Sequence, residues 1–236
     1  MPTPYIFQST QELIESLRSD RTRAAAQAFF ANGSATVSDV VIAGVSGNTF
    51  RAFRNLPVQP SVAFRGWTTN YLQDSLNDIA HAVTQQSYSA YVHNASLALC
   101  EYWRGATNSE MGYGRAAKLL NLVLKKLACL QPLRSEQRSR LIELQHVPLD
   151  SYTIVGLRCI ATELSIPKNA TMKYIQTPQQ YSTMQRKIAE ITEQAEVPAI
   201  YYDVLAWNMA HDGQPRRSSD TPTAGRAKFE RQTTAS

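Results

Sequence analysis

Cysteine is scarce in this chain: Cys100, Cys129 and Cys159 are the only three among 236 residues. They stand far apart with no Cys-x-x-Cys pair, which argues against a disulfide framework and a thiolate zinc site. An iron–sulfur cluster needs about four cysteines in a tight arrangement. The plain reading is three small buried apolar residues in a reducing compartment. No apolar run approaches the ~18 residues of a membrane span. Residues 1–8 lack the basic and apolar regions of a secretory signal. The Gly-x-Ser-x-Gly elbow of serine hydrolases is missing, and no solenoid-type repeat is present. A cytoplasmic, monomeric protein without a membrane partner is expected, and no metal or organic cofactor is called for.

What is there is ordinary for a globular chain: 43% hydrophobic and 18% charged residues, enough for one domain or two packed lobes. The net charge of +5 favours polyanions without identifying one. Apolar periodicity predicts helices over 9–30, 68–103 (in two segments broken near 85–87), 108–130, 135–144, 150–164, 178–196 and 201–211. Residues 35–66 are irregular, with room for one short strand or helix. The fold class is therefore mostly α, with one helical domain over 1–211. From Asp212 on the chain is polar, with five basic and three acidic residues. It lacks the apolar surface to offset its ordering entropy, so 212–236 is read as a disordered tail.

Two polar features stand out. Around the 108–130 helix, Ala116, Leu119, Leu120, Val123 and Leu127 fall opposite Lys118, while Lys125 lies within about 20° of it. Arg115 and Asn121 flank the pair. Lysines on such a face are usually only solvated. Asp150 follows Val147-Pro148-Leu149 and precedes a helix-forming run. A carboxylate there can accept hydrogen bonds from the free N–H groups of the first turn, which keeps it ionised and fixed. Most such residues are simple caps.

The combination carries more. Lys118 closes a Gly-x-x-x-Lys step from Gly114, and Asp150 comes 32 positions later in Val-Pro-Leu-Asp. Fifty-three residues further stands Asp203-Val-Leu-Ala-Trp207. This pattern, across 111–211, resembles the archaeal 8-oxoguanine DNA glycosylases, a divergent branch of the helix-hairpin-helix glycosylase superfamily with bacterial relatives, some in anti-phage defence. The resemblance implies a helix-hairpin-helix glycosylase-like bundle of two lobes, acting on double-stranded DNA with a modified base. It implies Lys118 as nucleophile, Asp150 as catalytic carboxylate, and Lys125, Asp203 and Trp207 as base-binding residues. The Leu-Pro-Gly-Val-Gly hairpin signature of the superfamily is absent; Gly112-Tyr113-Gly114 stands in its place, and Arg134, Arg138 and Arg140 are candidates for holding the DNA backbone. Trp67, Trp103 and Gln85 are candidate pocket residues from the unmatched N-terminal half.

The implied chemistry starts with flipping the base out of the stack, at a cost of a few kcal/mol. Stacking on Trp207 would recover about 1–3 kcal/mol. Asp150 would stabilise the positive charge that builds on the sugar. The neutral Lys118 amine would attack C1′, and the resulting Schiff base permits strand scission by β-elimination. The base would be 8-oxoguanine or, in a defence protein, a hypermodified base such as glucosylated 5-hydroxymethylcytosine. Three other readings exist: a non-catalytic helical nucleic-acid-binding protein, a hydrolase built on His146 and Asp150, and a generic helical interaction protein.

Overall fold

The computed structural model describes residues 6–46, 49–50, 53 and 56–211; the expected tail at 212–236 lies outside them. The described residues form a mostly helical protein: α1 Thr10–Arg18, α2 Asp20–Ala31, α3 Val37–Gly44, α4 Pro60–Ala80, α5 Gln85–Thr107, α6 Tyr113–Leu127, α7 Ser135–Leu144, α8 Ser151–Ile160, α9 Pro178–Gln194 and α10 Tyr201–His211. Two single 3-10 turns, Thr162–Leu164 and Met172–Tyr174, lie between α8 and α9. No strand occurs among the described residues; one isolated bridge joins Ser34 and Leu130. None of these helices is long and apolar enough to cross a membrane.

Side-chain caps set several boundaries where the apolar pattern alone does not. The expected helix over 9–30 is two helices, because Ser19 ends α1 and starts α2. Its Oγ donates to the Ser16 carbonyl at 2.7 Å and accepts from the Thr22 N–H at 3.3 Å. The break between α4 and α5 falls at 81–84, just before the expected place, since Thr84 and Ser87 cap each other's backbone. Residues 108–110 do not open a helix. Asn108 instead closes α5 in the left-handed conformation (φ 52°), and Gly112 (φ 79°) leads into α6. A third helix, α3, occupies part of the irregular stretch, started by a Thr36–Asp39 capping box.

The core is built around α6. It packs against α3, α5, α9 and the turn at Met172–Tyr174. Of its 15 residues, only Arg115, Lys118, Leu122, Lys125 and Lys126 keep appreciable exposure. Arg115, Lys118, Leu122 and Lys125 follow one another at helical spacing, so they form a single stripe. The expected wide polar face is therefore narrower: Asn121 is buried at 1% exposure, and its amide donates to the Ala117 carbonyl and to the Tyr181 hydroxyl, both at 2.8 Å. A helix enclosed on three sides leaves one strip for polar groups, and the lysines take it.

Candidate functional site

Asp150 is the N-cap of α8. Its Oδ1 accepts from the N–H groups of Tyr152 at 2.9 Å and Thr153 at 3.3 Å, while Thr153 Oγ1 accepts from the Asp150 N–H. The cap is thus the one the sequence predicts, but its electrostatics differ. Burial pushes the Asp150 carboxyl above the usual carboxylate range. Lys118 pulls it down, Asp203 pushes it up, and the two backbone N–H groups pull it down by less. Desolvation wins because protein surrounds the carboxylate on most sides, although part of the residue remains reachable. A carboxylate held this way is a better proton acceptor than a solvated one.

The stretch 145–149 delivers Asp150 to this place. It runs without regular backbone pairing, and side chains supply the links. Gln185 of α9 clamps Val147 from both sides, accepting from its N–H at 2.9 Å and donating to its carbonyl at 2.7 Å. Gln145 donates to the Leu124 carbonyl of α6 at 2.9 Å. His146 bonds Ser89 of α5 through Nε2 at 3.0 Å and the Tyr181 hydroxyl of α9 through Nδ1 at 2.9 Å. Three helices therefore fix the residues just before Asp150.

His146 has no hydrogen bond to Asp150, which removes the geometric basis for a His146–Asp150 hydrolase. Burial lowers its pKa from 6.5 to about 4. Between those values the unfolded chain binds a proton that the folded one does not. The stability tied to neutral His146 is therefore complete above pH ~6.5 and lost as pH falls towards 4, by roughly 3 kcal/mol. Thermal melts from pH 4 to 7.5 should show the advantage of wild type over His146→Gln shrinking steadily with acid. A pH-independent gap would contradict this.

On the far side of Asp150, α10 brings Asp203 and Trp207. Asp203 is buried at 6% exposure and pairs with Lys125 Nζ at 2.5 Å. The Lys125 ammonium also lies 4.3 Å from the centre of the Phe29 ring, and Lys126 lies 3.8 Å from it. The α8–α10 contact that sets this geometry depends on Gly156: a Cβ there would come within 2.5 Å of the Tyr202 hydroxyl, which donates to the Thr153 carbonyl at 2.7 Å. Gly114 serves similarly at the start of α6. A Cβ would press on Met172 O and Ile175, so only glycine lets the 172–175 segment lie against the helix that carries Lys118.

Lys118 itself is half-buried on the α6 stripe. Among the described residues no side chain pairs with its ammonium at ion-pair distance, and its charge is felt at Asp150. Lys118, Asp150, Asp203 and Lys125, scattered over 85 positions of sequence, thus comprise two cations from α6 and two anions, one from the cap of α8 and one from α10.

Trp207 is 52% exposed, at the rim of this group rather than in the core. One face of its indole stacks on His211, with ring centres 4.0 Å apart and planes 28° apart. Tyr152 meets it edge-on at 5.6 Å. A cleft of about 360 Å³ lies elsewhere, between α1, α2 and the Leu205 and Met209 side of α10. None of the five candidate residues lines it. Trp103 is not a pocket residue: it is fully buried against Phe53. Trp67 stacks on Tyr71 between α4 and α5, and the exposed Gln85 donates to the Leu144 carbonyl. Arg134 and Arg140 are exposed on α7 and its cap, and Arg138 is half-buried there.

The residues that sequence reasoning misses are Phe29, Tyr152, Gln185 and His211. Tyr152, two positions from Asp150, was within reach of local inspection; the others depend on contacts across the fold. Comparison with protein families, with curated proteins and with solved structures gave no match.

Proposed function

We propose that this chain is a DNA glycosylase that excises a modified base, with Lys118 as the nucleophile at C1′ and Asp150 as the carboxylate that steadies the sugar cation and takes up the lysine proton. The observation that carries this reading is the placement of a half-buried carboxylate, Asp150 at the cap of α8, against the helices that bring the Lys125–Asp203 ion pair and Trp207, with Lys118 on the same stripe of α6 as Lys125. A raised carboxyl suits proton uptake from an attacking amine. The Lys125–Asp203 pair offers a donor and an acceptor for the edge of a flipped base, and Trp207 offers a face for stacking. The α5–α6 pair, joined by the short 108–112 connection, is consistent with a helix-hairpin-helix whose second helix carries the nucleophile. Because Trp207 is half-exposed, its side of the site sets no wall against a base with a bulky substituent, so such a base is as much a candidate as 8-oxoguanine. DNA repair and anti-phage defence are the corresponding settings.

The test is incubation with duplexes carrying 8-oxoguanine and with phage DNA containing glucosylated 5-hydroxymethylcytosine, followed by alkali to cut abasic sites. Release of either base supports the reading. Intact strands on both, with correctly folded protein, overturn it.

A further inference from the structure

The exposed end of α10 holds an aromatic cluster that base capture by a lone tryptophan does not require. His211, one turn beyond Trp207, lies nearly parallel to the indole at 4.0 Å. Its Nδ1 is 2.7 Å from the Trp207 carbonyl; a carbonyl only accepts, so Nδ1 carries the proton and the imidazole is pinned in one tautomer. Tyr152 approaches from the other helix, edge-on to Trp207 at 5.6 Å and 87°, and to His211 at 5.5 Å and 62°. Tyr152 is also tied to Asp150, since its backbone N–H donates to the carboxylate at 2.9 Å.

A tryptophan exposed by half on a surface helix ordinarily samples several rotamers, and a base would then have to select one. Here one indole face is backed by His211 and one edge is met by Tyr152, while the indole as a whole stays half-exposed. We infer that Tyr152 and His211 are positioning residues: they hold Trp207 as a preformed stacking face for an unpaired heteroaromatic base, and Tyr152 fixes that face relative to the carboxylate. The inference rests on the glycosylase reading for its ligand, but not for its mechanics.

Aromatic pairs of these geometries are each worth a factor of about two to ten. Tyr152→Ala and His211→Ala should each weaken binding of a duplex holding a 2′-fluorinated, uncleavable analogue of the excised base by that factor. Tyr152→Phe keeps the ring and should bind as wild type. Adding either alanine change to Trp207→Ala should cost nothing further, because there is no longer an indole to position. A purely structural role would instead give additive losses in the double variants. In the protein without DNA, acrylamide quenching should report the same thing: Trp103 is buried and Trp67 half-buried, so the signal comes mainly from Trp207, and it should rise in both alanine variants. Quenching and binding unchanged in those variants, or additive losses with Trp207→Ala, would overturn the inference even if base excision is found. A rise in quenching with no excision on any DNA would instead leave the aromatic device standing and remove the glycosylase.

Discussion

Asp150→Asn is expected to reduce base excision by about 100-fold or more while leaving the protein at least as stable as wild type at neutral pH. Asparagine caps a helix as well as aspartate does, so the Tyr152 and Thr153 N–H groups keep their acceptor. What disappears is a carboxylate that burial drives above its ordinary range. A group whose folded pKa is raised stabilises the fold fully only below its unfolded value, near 3.9, and that contribution is lost as pH rises through the folded value. As pH rises, the wild type therefore increasingly bears the cost of ionising a desolvated group, which the amide does not. Melting curves for both proteins from pH 3 to 8 should show the variant gaining on wild type across that window. A variant that is less stable at pH 7 yet fully active would show Asp150 to be a cap and nothing more.

Lys118→Ala should abolish the covalent adduct that borohydride traps between a lysine nucleophile and the sugar. The informative partner is Lys118→Arg. Arginine keeps a positive charge near Asp150 but stays protonated, so it cannot attack C1′. If Lys118 serves only to balance the carboxylates, arginine should restore activity; if it is the nucleophile, both variants lose the adduct completely. Because Lys118 lies on the half-exposed stripe of α6 with no ion-pair partner among the described residues, neither change should unfold the protein. Trapping that persists in both would move the nucleophile to another amine.

Much of this was legible from local pattern. The bounds of α7 and α10 follow from their flanking residues, and the Asp150 cap follows from a Pro-Leu-Asp step before a helix-forming run. The nature of α6 was only half legible. Its apolar residues mark a buried side, but the wheel cannot show that α3, α5 and α9 close on it from several directions, nor that Asn121 has a tyrosine to bond inside the core. The short break at Ser19 escaped because apolar periodicity continues across it, and one serine side chain decides the matter. The clamp of Gln185 on Val147 spans 38 positions, and Phe29 meets lysines nearly a hundred residues on. Neither leaves a trace at helical spacing. The raised titration of Asp150 was hidden for the same reason: the cap argues for an ionised group, and only packing reveals the desolvation that outweighs it.

The Lys125–Asp203 pair also limits how this protein can change. Losing either partner alone would strand the other charge in a place almost closed to water, a penalty of about 3–5 kcal/mol for a buried pair. An apolar couple such as methionine with leucine would remove that penalty altogether. Drift at these two sites is therefore concerted or absent, and a lineage that crossed to the apolar couple would keep its fold while surrendering the polar edge beside Trp207.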